Sequence, residues 1–206
     1  MAAPAPQARP YATLLAKGED RRQRILGVAE RLLARNGWRT TSLAQIAREA
    51  GVTSAGLLHH FESKEQLLNA VLDARDEDDG AHADYLSGDL ITELRRVPER
   101  FERAPELIGT FTVLLVENIA PDAPLHDRMH QRYRAAIDII TNIVERGQRD
   151  GKYRQDIDAA TTAVEILAFI NGMETLWLLD PSIPPMDVFK GYAESLGRHL
   201  APGSSA

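Results

Sequence analysis

Three groups of residues carry chemistry by type and spacing. The first is a concentration of donors between Thr41 and Lys64. Thr41, Ser42, Thr53, Ser54, His59, His60 and Lys64 supply hydroxyl, imidazole and ammonium groups around a turn at Gly51. Such groups suit an anionic partner, although Ser42, Thr53 and Ser63 serve equally as helix caps and His60, beside Phe61, as a packing residue. The second group is His126 and His130, four apart on a predicted helix, the spacing two metal ligands on one face require. Glu117 or Asp122 would have to approach to extend that pair. The third is Asn171, Glu174 and Thr175, set singly in an apolar helical stretch. Each must be hydrogen-bonded or wet, since an unpaired polar group there costs ~1–3 kcal/mol. No glycine-rich phosphate loop or nucleophile elbow accompanies them, so no catalytic residue, metal or cofactor is assigned.

The 206 residues, 44% hydrophobic and 26% charged, suffice for one ordinary domain or two small ones with a real core. The net charge of −6 conceals an asymmetry. The first 64 residues hold 10 Lys and Arg against 5 Asp and Glu, a net +5, which leaves −11 for the rest. A basic first third on an acidic body is expected to bring one end to a polyanion. Cysteine is absent, which removes disulfides and thiolate metal sites and permits a reducing cytoplasm. Met1 to Pro10 lacks the basic start and apolar run of a secretory signal. No run approaches the roughly 18 uninterrupted apolar residues of a membrane helix. A cytoplasmic chain without a membrane partner is expected.

The elements that must position these groups read as helices throughout. Asp20 with Gln23, Ser42 with Gln45, and Ser63 with Gln66 have the spacing of reciprocal helix caps. Gly37, Gly51 and Gly151 stand where helices would stop. Apolar stripes follow at Ile25, Val28, Ala29, Leu32 and Leu33, at Leu43, Ile46, Ala47 and Ala50, and at Leu67, Leu68, Val71 and Leu72. Further helices are predicted from Pro105 to about Ile119, from Asp122 and Pro124 to Asp150, from Asp158 to Leu179, and from Pro185 to His199. Phe111–Val116 and Ala163–Leu179 are apolar nearly all round, which implies a central position or a subunit interface. Asp76–Asp79 reads as a solvated acidic face. No strand pattern or fixed repeat appears, so the fold is expected to be all-α.

The span Ser42–Phe61 predicts two short helices around Gly51-Val52-Thr53. Ala47 is the small residue at the crossing, and Ile46, Val52 and Leu57 are the apolar plugs of a helix-turn-helix. A longer series surrounds it: Ile25-Leu26-x-Val28-Ala29, Gly37, Thr41-Ser42-Leu43, Ile46-Ala47, Ala50-Gly51-Val52, His60-Phe61 and Ser63-Lys64-x-x-Leu67. In this order these residues resemble the tetracycline-repressor (TetR) family of transcriptional regulators. Leu58, His59 and Ala55-Gly56 depart from residues frequent there.

Residues 1–18, rich in Ala and Pro, read as a disordered arm and 201–206 as a tail; between them the resemblance implies a three-helix DNA-binding domain (19–64) and a helical effector-binding and dimerisation domain (65–200). The implied function is a ligand-responsive homodimer, a repressor released from a palindromic double-stranded DNA operator by a small molecule, with the helix after Ser63 as lever. Ser54, Ala55 and Gly56 would meet base edges in the major groove. Thr41, Ser42, Thr53, His59, His60 and Lys64 would lie on the DNA surface, several as phosphate donors. Arg9, Lys17, Arg21 and Arg22 would extend a basic arm. The seam is expected along Ala163–Leu179 and the stripe Val188, Phe189, Tyr192 and Leu196. The effector is expected to be moderately hydrophobic, neutral or cationic, lined by Phe111, Leu115, Asn118, His130, Tyr133, Asn171 and Glu174. The alternatives are a small helical metal-dependent enzyme using His126 and His130, and a protein-binding adaptor.

Overall fold

The computed structural model describes residues 10–84 and 88–202, with side chains from residue 17 onward. Ten helices and no strand occur among the described residues: α1 (Pro10–Thr40), α2 (Leu43–Glu49), α3 (Ser54–His60), α4 (Lys64–His82), α5 (Leu90–Arg96), α6 (Glu99–Arg103), α7 (Pro105–Glu117), α8 (His126–Arg149), α9 (Ala159–Leu179) and α10 (Pro185–Leu200).

α1 opens at Pro10, where the missing N–H costs nothing in the first turn, and continues through alanines and leucines that favour helix. Residues 10–18, expected in a disordered arm, are therefore helical, and Asp20 lies within α1 rather than at a cap. Residues 1–9 lie outside the described residues, as do 203–206 of the expected tail; Ala201 and Pro202 follow α10 without helix. α1 breaks at Gly37, whose φ of 74° and ψ of 171° leave helical space.

Two apolar cores follow the chain order. The first seats α1 to α4 on one another and on Phe111, Leu114, Leu125 and Met129. The second joins α5, α6 and α10 to α8, α9 and Ile108 of α7. α7 runs between them, packing on α1 and α9. The helices after residue 104 stand where the sequence predicts them, and Asp158 caps α9 by accepting from Thr161 N. Two elements have no counterpart in the sequence reading. α5, capped by Asp89, packs on α10 and α8, and the five-residue α6 packs on α7.

α9 has one buried face and one outward face. It is a described helix whose length and mean hydropathy of 1.3 would suffice to cross a membrane. Val164, Ala168, Gly172 and Leu176, four apart, are exposed, so one stripe of it faces outward. Phe189 of α10, expected on the same seam, is fully buried within the chain against Phe101 and Phe169.

Candidate nucleic-acid interface and ligand cavity

α2 and α3 meet at a four-residue turn. Gly51 takes φ of 65°, and Val52 N donates to Ala47 O at 2.9 Å. Ile46, Ala47 and Leu57 are buried, as α2 packs on α1 and α3 packs on α2. Ser42 accepts from Gln45 N, Thr53 from Gly56 N at 3.0 Å and Ser63 from Gln66 N, so each short hydroxyl starts a helix. A Cβ on Gly56 would press on Thr53 Oγ1 at 3.1 Å, so glycine there keeps the cap intact. Ser42, Thr53, Ser54, Ala55 and His59 are exposed, and Gly56 and His60 half-buried, along one outward surface. His59 and His60 stand edge to face. Burial lowers the His60 pKa, and the positive neighbours His59, Arg21 and Arg22 add to this.

Two side chains fasten this head to the body. Glu117, at the end of α7, accepts from Trp38 N at 2.6 Å, and its carboxylate fills the space a Cβ on Gly37 would need. Lys64, at the start of α4, lies over the Trp38 ring at 3.9 Å and donates to Trp38 O. Burial lowers the Lys64 pKa despite the neighbouring Glu65 and Glu117 charges.

Farther along α4 and α7, a cavity of about 500 Å³ opens between α4, α5, α6, α8 and α9, with Phe111 of α7 in its lining. Its charged part begins with Arg75, 4% exposed, which donates through Nη2 to Glu174 Oε1 at 2.7 Å and through Nε to Asp79 Oδ2 at 3.2 Å. Arg100 of α6 donates to the same Glu174 oxygen at 3.0 Å, and Arg132 of α8 to Asp79 Oδ2 at 2.8 Å. Burial pushes the Asp79 carboxyl up, but Arg100, Arg75 and Arg132 together hold it below its ordinary range. Likewise burial would lower the Arg75 pKa, and Glu174 and Asp79 raise it instead. The Phe111 ring lies beneath Arg132 at 4.5 Å. Tyr133 donates to Asn171 Oδ1 at 3.0 Å, and its hydroxyl is pushed up to about 12, first by burial and then by the Glu174 charge.

The comparisons with known proteins follow the same division. Residues 25–71 match the family described as bacterial regulatory proteins, tetR family, and residues 113–200 the C-terminal domain of BetI-type transcriptional repressors. The HTH-type transcriptional repressor KstR2 of Mycolicibacterium smegmatis is 30% identical over 146 residues, 68% of this chain and 70% of that protein. The chain belongs to the TetR family. The HTH-type transcriptional regulator TtgR of Pseudomonas putida is 29% identical over 186 residues, 80% of this chain and 83% of its own. In fold, this TetR-family chain is similar to NalD, the secondary repressor of the MexAB-OprM multidrug efflux pump in Pseudomonas aeruginosa. The TM-score is 0.73 at 23% identity, over 90% of this chain and 98% of that one. It is a DNA-binding transcriptional regulator of this family, not an enzyme.

Several expected site residues take other places. Thr41 is 1% exposed, and its hydroxyl donates to Gly37 O at 2.7 Å, so it closes the α1–α2 corner and meets no phosphate. Phe111, Tyr133, Asn171 and Glu174 do line the cavity. Leu115, Asn118 and His130 do not. Asn118 is buried and holds the α7–α8 connection through Leu114 O and Leu125 N. His130 is exposed and stacks on His126 at 6.4 Å. A neutral or cationic effector was expected from the acidic body, yet the cavity lining holds six arginines against four carboxylates. Asp79 is no solvated residue either; it is shared by three arginines. The i,i+4 pair Arg75–Asp79 was the sequence signal for this cluster, masked by the acidic run around it.

Proposed function

We propose that the chain is a cytoplasmic homodimeric repressor that leaves a palindromic operator when a small molecule fills the cavity. The observation that carries this reading is the course of α4. It begins at Lys64 against the reading head and passes Arg75 in the cavity lining eleven residues later, a rise of ~16 Å. α7 repeats the connection, from Phe111 at the cavity to Glu117 on Trp38. A ligand that binds one arrangement of these helices better than the other shifts the head by the difference in affinity.

On the operator, Ser54, Ala55 and Gly56 approach base edges, with little direct readout beyond a hydroxyl and a methyl. Shape and deformability of the DNA supply the remainder of the specificity. Ser42, Thr53, His59, His60 and Lys64 contact phosphates. The second subunit covers the exposed stripe of α9, where Ala168 and Gly172 allow close approach and Leu176 packs across the twofold axis.

Selection of bound sequences from a random DNA pool tests the reading. The expected product is an inverted repeat whose half-site centres lie about one turn of DNA, ~34 Å, apart or at a multiple of it. Selected sequences without inverted symmetry would contradict it.

A further inference from the structure

The charged part of the cavity is a surplus of donors. Arg75, Arg100 and Arg132 present five N–H groups each, and Asp76, Asp79 and Glu174 are the carboxylates they meet, with Arg132 Nε 2.6 Å from Asp76. Glu174 Oε1 already accepts from two guanidiniums, and Asp79 Oδ2 from two. With Asp76 these three cations meet three anions, and the positive excess belongs to the lining as a whole, six arginines against four carboxylates. A cationic ligand would face that excess of guanidiniums. An anion takes up N–H groups that are still free, and its two oxygens fit the planar fork of arginine.

The rest of the lining is apolar and displaced along the helices. Ile139, Ile140 and Ile143 follow Arg132 on α8 and face Ile166 and Ile170, which precede Glu174 on α9. The run from Arg132 to Ile143 spans ~16 Å of helix. One end is thus ionic and the other is hydrocarbon.

We propose that the effector is an amphipathic anion, a carboxylate on an apolar chain or ring body, its head on Arg100 and Arg132 and its body along Ile139, Ile143 and Ile170. This rests on the assignment of the cavity as the effector site. The head group competes with Asp79 and Glu174 for the same guanidiniums. Binding therefore loosens the link from α4 through Arg75 to α9, which is the step that reaches the reading head.

Three probes of equal chain length, decanoate, decan-1-ol and decyltrimethylammonium, test the class by calorimetric titration of the full chain. Decanoate is expected to bind at least tenfold more tightly than the other two. Arg132→Gln should weaken decanoate roughly tenfold to a hundredfold, the loss of one charged hydrogen bond, while leaving decan-1-ol unchanged. Glu174→Gln separates this from structural damage: it removes a competing acceptor, so it should lower the melting temperature of the free protein yet tighten decanoate. Equal or tighter binding of the alcohol or the cation would overturn the anionic class and leave the cavity as an effector site. Failure of all three to bind would also overturn it, and whether the cavity serves any effector is then read separately from the response of a cavity-filled Ile170→Trp variant to compounds that release DNA.

Discussion

At the scale of single residues, chemical type was legible and partnership was not. Ser42, Thr53 and Ser63 cap helices as their spacing predicts, because a cap depends on neighbours three residues away. Thr41 and Phe189 could not be placed, since burial depends on what crosses them from far along the chain. Glu30 is another such residue. It lies on α1, and its pKa rises from 4.5 to about 7, first by burial and then by Glu106, with Arg31 opposing. Between those values the folded chain holds a proton the unfolded chain has released. Stability therefore falls as pH rises from about 4.5 to about 7, and the penalty is complete above that range. Glu30→Gln should stabilise the fold by up to about 3 kcal/mol at pH 8 and by far less at pH 5, read from thermal or denaturant melts. An equal gain at both pH values would show that Glu30 keeps an ordinary pKa.

At the scale of elements, the long periodic helices and the helix-turn-helix were legible from sequence, and α5 and α6 were not. Their seven and five residues carry too few turns to show a period, and the arginines within them read as surface charge until Arg100 is seen on Glu174. α9 was recognised as apolar all round, which left its two uses unresolved. One face is core, with Ile166 and Met173, and the other is the exposed stripe ending at Leu176. This division replaces the expected role of Phe189. Phe189→Glu would bury an unpaired charge inside each subunit and should unfold the body instead of freeing monomers. Leu176→Glu, at a position 51% exposed, should leave the melting transition of a dilute subunit intact and give monomers in sedimentation. Folded monomers from the Phe189 variant, or dimers from the Leu176 variant, would place the seam elsewhere.

At the scale of the whole molecule, the first core binds the reading head to α4, α7 and the start of α8, so head and cavity share helices and are not joined by a flexible linker. Two rigid paths run between them. α4 leads from Arg75 to Lys64, and α7 from Phe111 to Glu117. The sequence alone disclosed the two ends, a basic first third and an apolar body, because charge and hydrophobicity are summed properties. The connection was not legible, since Glu117 on Trp38 and Arg75 on Glu174 join residues 79 and 99 apart in the chain. On the proposed function, a ligand in the cavity moves the head. The most direct test measures release of the selected operator by a compound that dissociates the unmodified protein, in that protein and in the cavity-filled Ile170→Trp variant. The prediction is unchanged operator affinity and a lost response in the variant; release at the same compound concentration from both proteins would contradict it.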